Sequence, residues 1–150
     1  MSRFELGTDG PMVVLTAVDG SRTSLRAGSY AAGLARRQRS RLVVVYVAGT
    51  GAIGGLAGLA AGSAAAVAMS AREMGEQLRK QAEEAAEHIG IAMEFITAEG
   101  DPYSEITRIA AEVKAEVVVI GASESAGHRL VGSLAVRLVR AGKWPVTVVP

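Results

Sequence analysis

Two almost purely apolar runs, each stopping abruptly at small residues, constrain this chain more than any other feature. Val13-Val14-Leu15-Thr16-Ala17-Val18 leads into Asp19-Gly20-Ser21, and Val117-Val118-Val119-Ile120 leads into Gly121. Runs rich in β-branched residues, without polar alternation, are how strands buried on both faces read. Such strands belong to parallel sheets covered by helices. Leu42 to Val47 and Val146 to Val149 have the same character.

The segments between these runs carry helical signals. A first strand at about Met12 to Val18 precedes a helix from about Arg22 to Arg39, with Ser21 placed to cap it. After the strand Leu42 to Val47, a second helix is predicted from about Ser70 to His88. Met74, Leu78, Ala82, Ala85 and Ile89 form its apolar stripe, and Gly90 ends it. A third strand covers about Ile91 to Ala98, and the charge at Glu94 argues for an outer position. Pro102 opens a third helix, with Ile106, Ile109, Ala110 and Val113 as its apolar positions. A strand over Glu116 to Ile120, a helix from Gly132-Ser133 to Gly142 and a strand over Val146 to Val149 complete the pattern. Alternation of this kind predicts an α/β sandwich. Residues 1–11 read as an N-terminal tail and 12–150 as one domain, with a Gly/Ala-rich loop at about 48–69.

Composition narrows the function. A net charge of +1 gives no general electrostatic reason to bind nucleic acid. Arg36, Arg37, Arg39 and Arg41 read as cations complementing a helix C-terminus. The absence of cysteine excludes disulfides and thiol chemistry. Two histidines, His88 and His128, do not make a convincing metal site, so none is expected. No nucleophile motif appears, so no catalytic residue is assigned. The uncharged stretch from Leu42 to Ala71 is long enough to cross a bilayer, but Gly, Ala and Ser dominate it, and no membrane span is expected. Without a signal pattern, the expected location is cytoplasmic.

Gly49-Thr50-Gly51-Ala52-Ile53-Gly54 follows a strand and spells a dinucleotide fingerprint. A nicotinamide-type fold would then place a helix at Ile53 to Ala61, a strand at Ala65 to Met69 and a ribose carboxylate at Glu73. That helix is short for a crossover, and alanine is a poor strand former. The plainer reading of residues 48–69 is a mobile or partly helical cover over a crevice.

Several pieces converge on one family. Asp19-Gly20-Ser21, Glu99-Gly100-Asp101-Pro102, the span from Gly121 to Gly132-Ser133 and Pro145-Val146-Thr147-Val148-Val149 occur in an order and spacing that resembles the universal stress protein family, from about Met12 to Val149. The resemblance implies a Rossmann-like (flavodoxin-like) three-layer sandwich of five parallel strands in the order 3-2-1-4-5. A ligand crevice is then expected beside strands 1 and 4, where the order reverses. It also implies a homodimer through the strand at 146–149.

Nucleotide-binding members of the family carry a loop reading Gly, two residues, Gly, nine residues, Gly, then Ser, Thr or Asn. By resemblance, the cofactor-binding residues are Ala17, Asp19, Val47, Ile120, Gly121, Gly127, Gly132 and Ser133, with ATP or AMP as ligand. Two departures stand out. Glu124 occupies the second glycine position, and the loop is two residues short. Both resemble the branch with a degenerate nucleotide loop. The expected protein is a non-enzymatic, dimeric stress-response protein with such a crevice and an unspecified protein partner. An ATP/AMP-binding member with weak ATPase activity at most, and an NAD-type protein, are the alternatives.

Overall fold

The computed structural model of the chain describes residues 12–48, 64–124 and 132–150, and of 64–69 the backbone only. Its elements are β1 (Val13–Val18), α1 (Arg22–Gln38), β2 (Arg41–Ala48), α2 (Ala64–Ile89), β3 (Met93–Glu99), α3 (Pro102–Glu112), β4 (Val117–Gly121), α4 (Ser133–Ala141) and β5 (Val146–Val149). The five strands form one parallel sheet in the order β3-β2-β1-β4-β5. That is the expected Rossmann-like sandwich and strand order.

Each face of the sheet has its own core. On one side Val14, Val44 and Val119 pack against Ala27, Ala31 and Ala35 of α1 and Leu78 of α2. On the other, Leu15, Val43 and Val118 meet Ile106 and Ile109 of α3 and Leu138 of α4. The three α1 alanines are spaced i, i+4, i+8 and are wholly buried. Their small side chains let α1 lie close to the strands beneath it.

Local chemistry fixes the helix boundaries. Ser21 Oγ accepts the Ser24 N–H at 3.2 Å and caps α1, as its position in the sequence predicts. Arg39 ends that helix in the left-handed conformation, and its N–H reaches the carbonyls of Ala35 and Arg36. Asp101 caps α3 through the Ser104 N–H at 2.9 Å. Gly90, with φ +71°, follows the last residue of α2.

The segment before α2 corrects the sequence reading. α2 begins at Ala64 rather than near Ser70, and Ala48 closes β2, so the loop placed at 48–69 is shorter at both ends. Residues 65–69 are helical, which removes the strand that the dinucleotide alternative needed and leaves Glu73 inside a helix. The alanine content decides this, since alanine is the best helix former and a poor strand former. The fingerprint Gly49 to Gly54 itself lies outside the described residues. Among the described residues, no helix is long and apolar enough to cross a membrane.

The outer strands differ. In β3, Glu94 is exposed and pairs with Arg41 at 2.9 Å. Arg79 of α2 stacks over the Phe95 ring at 5.0 Å and donates to the Phe95 carbonyl and the Thr97 hydroxyl, each at 3.4 Å. At the opposite end, the Pro145 and Val149 carbonyls accept from Val118 and Ala122 at 3.0 and 2.8 Å. Backbone groups alternate in direction along a strand, so Val146 and Val148 turn theirs to the sheet's outer edge.

Candidate functional site

β1 leads into α1 on one face of the sheet, while its neighbour β4 is followed by α4 on the other. At the carboxyl ends of these strands opens a crevice of about 370 Å³. This is the switch point at which doubly wound sheets place ligands. Ala17, Asp19, Val47, Ile120, Gly121, Gly132 and Ser133 all line it, although they come from three strands, two loops and a helix start spread over the chain. Gly127 and His128 lie outside the described residues.

Asp19 is held by the turn into α1. Its Oδ1 accepts the Ser21 N–H at 2.8 Å, and its own N–H donates to Ser24 Oγ at 3.2 Å. Burial pushes the Asp19 carboxyl up, but hydrogen bonds from Ser21 (hydroxyl and amide), Ser24 and its own amide outweigh it. The net effect holds the carboxyl below its ordinary value. Burial raises the Tyr46 phenol, and the Asp19 charge adds to that rise. Tyr46 in turn donates to the Ala71 carbonyl at 2.9 Å, which ties α2 to this end of the sheet.

The glycines of the β4 loop serve the protein's own packing. A Cβ on Gly121 would stand 2.5 Å from the Thr23 carbonyl carbon and 2.6 Å from the Ser24 nitrogen. A Cβ on Gly132 would stand 2.8 Å from that of Ser123. Thr23 Oγ1 donates to the Ala122 carbonyl at 2.6 Å and fastens the loop to α1. Gly132 precedes α4 as its N-cap, and no side chain caps that helix end.

Glu124 lines the crevice and is fastened at the start of α1. Its Oε1 accepts the Thr23 N–H at 3.2 Å and lies 3.8 Å from Arg22 Nε. α1 has no acidic residue in its own first turn, and Glu124 supplies the carboxylate from the other half of the chain. Thr23, Ser24 and Ile106 also line the crevice and were not foreseen. The run Ser21-Arg22-Thr23-Ser24 was a visible signal of a hydroxyl-rich helix start. Nothing marked Ile106, on the apolar stripe of α3, as exposed to a cavity.

The lining thus combines apolar walls (Val47, Ile106, Ile120) with hydroxyls and two carboxylates, and among its described residues there is no lysine, arginine or histidine. The carboxylates can orient hydroxyl or amine donors.

A family model for the universal stress protein family matches residues 12–150. The chain belongs to that family. It is 30% identical to universal stress protein MJ0531 of Methanocaldococcus jannaschii, over 91% of this chain and 80% of that one. A universal stress protein family structure from Burkholderia pseudomallei superposes with a TM-score of 0.74, at 26% identity, covering 93% and 96% of the two chains. The same fold is found in a universal stress protein solved in complex with cAMP, with a TM-score of 0.71, 23% identity and coverage of 95% and 99%.

Proposed function

We propose that this universal stress protein is a non-enzymatic, cytoplasmic homodimer whose crevice holds a nucleoside-type ligand and is degenerate toward polyphosphate. The observation that carries this reading is the Glu124 carboxylate, fixed within the crevice on the Thr23 amide. A fixed negative charge there opposes a triphosphate, and the loop that would wrap the phosphates is short by two residues. The fold neighbour in complex with cAMP supports a nucleotide-sized occupant. The apolar walls and the Asp19 carboxylate support a base and a ribose.

One observation favours the alternative of ATP or AMP binding. The first turn of α4 meets the crevice without a side-chain cap, and Gly132-Ser133 stand there as in nucleotide-binding relatives. Calorimetric titration of the purified chain with ATP-Mg²⁺ and AMP, with NAD in parallel, decides between the readings. Weak or undetectable ATP binding is expected, and micromolar ATP binding would establish the alternative. NAD binding would revive the glycine fingerprint at Gly49 to Gly54.

The dimer reading rests on β5. Val146 and Val148 direct backbone groups to the outer edge, and such an edge can pair antiparallel with its twin. Light scattering coupled to gel filtration should give twice the chain mass, and a monomer at all concentrations would refute it.

A further inference from the structure

The chain has no cysteine, so its oxidisable sulfur is all thioether. One of these thioethers sits at a joint. Gly20 turns the chain from β1 toward α1 with φ +87°, a conformation that favours glycine, and the missing side chain leaves a notch. Met74 of α2 fills that notch. A Cβ on Gly20 would stand 3.1 Å from Met74 Sδ and 3.5 Å from its Cε.

Two further contacts from the same helical turn hold α2 in place. Tyr46 donates to the Ala71 carbonyl at 2.9 Å, and a Cβ on Gly75 would stand 2.9 Å from the Tyr46 ring. Ala71, Met74 and Gly75 thus dock α2 on β2 and on the turn of residues 19–21. Tyr46 is buried, whereas Met74 is 40% exposed, so a reagent in solvent reaches this joint at Met74. Met12 is more exposed still, at 68%, but it precedes β1 at the opposite edge of the sheet.

We infer that Met74 is a site of reversible oxidation by peroxides, and that its sulfoxide releases α2 from the turn of residues 19–21. The sulfur lone pair attacks one peroxide oxygen, the O–O bond breaks and an S–O bond forms. Sulfur is oxidised by two electrons. The proton on the attacked oxygen passes to the departing one, which leaves as water or an alcohol. A polar sulfoxide then stands where an apolar group filled the notch. Seating it there would strip water from the new oxygen, so the side chain turns outward and the contact is lost. This inference is independent of what the crevice binds.

The test treats the full chain with hydrogen peroxide. Peptide mass spectrometry follows each methionine, and hydrogen exchange follows the backbone. Met74 should convert several-fold faster than the half-buried Met93. Exchange over residues 19–25 and 71–78 should then quicken about tenfold while β4 stays unchanged, and methionine sulfoxide reductases should reverse the effect. Met74→Leu should keep the oxidation of Met12 and lose the quickening. Met74→Gln, polar and of similar length, should show the quickening without peroxide. Met74 left unmodified once Met12 has converted would overturn the inference. So would a sulfoxide at Met74 with unchanged exchange, or equal quickening in Met74→Leu.

Discussion

Gly121, the last residue of β4, lies directly against the Thr23 backbone at the first turn of α1, two segments almost a hundred residues apart in sequence. The obstacle to any side chain there is main chain, which cannot rotate away as a side-chain tip would. Gly121→Ala should therefore destabilise the fold by about 1–3 kcal/mol, as overpacked cores do. A urea denaturation midpoint equal to that of the natural protein would show that α1 can shift off the sheet at little cost.

Thr16 sits at the centre of β1, wholly buried, with a hydroxyl that has no hydrogen-bond partner. Thr16→Val keeps the branched shape and removes the unsatisfied group. It should raise stability by about 1–2 kcal/mol, read as a higher urea midpoint at unchanged slope. A lower midpoint would mean that the hydroxyl finds a partner in solution.

Asp19 makes stability depend on acidity in a defined direction. Its carboxyl is held below the ordinary value in the folded chain, so the stability it contributes is complete above about pH 4 and is lost as the pH falls through the folded value. Asp19→Asn lacks that dependence. The stability difference between natural protein and variant should shrink steadily below about pH 4 in a series of denaturation curves. A difference that stays constant down to about pH 2 would show that these hydrogen bonds do not favour the ionised form.

Val148 presents its N–H at the outer edge of β5. Val148→Pro removes that donor without touching the carbonyls that bind β4, and proline is tolerated on edge strands. The variant should stay folded by circular dichroism and dissociate about tenfold or more readily in sedimentation equilibrium. An equally stable dimer would place the interface elsewhere.

What the sequence made legible was whatever depends on neighbours in the chain. The unbroken run Val117 to Ile120, the cap at Ser21, the stop at Gly90 and the outer position of Glu94 are all local or two-fold patterns, and each reappears in the fold. The strand order came instead from the family resemblance. The start of α2 was misjudged because glycine upstream masked the helix-forming alanines at Ala64 to Ala66. Most of the expected crevice residues do meet, because strand ends in a parallel sheet share one edge. The direction taken by Glu124 could not be read, since its partner stands 101 positions away and only the folded chain brings the two together.

Arg79 has a consequence for how many copies can assemble. Its guanidinium occupies the Phe95 carbonyl on the outer side of β3, where a further strand would have to bind. A sheet that can be joined at both margins can grow into a fibre. With the β3 margin stoppered by a cation, a dimer formed through β5, as proposed, would be a ten-stranded unit that ends in a stopper at either side.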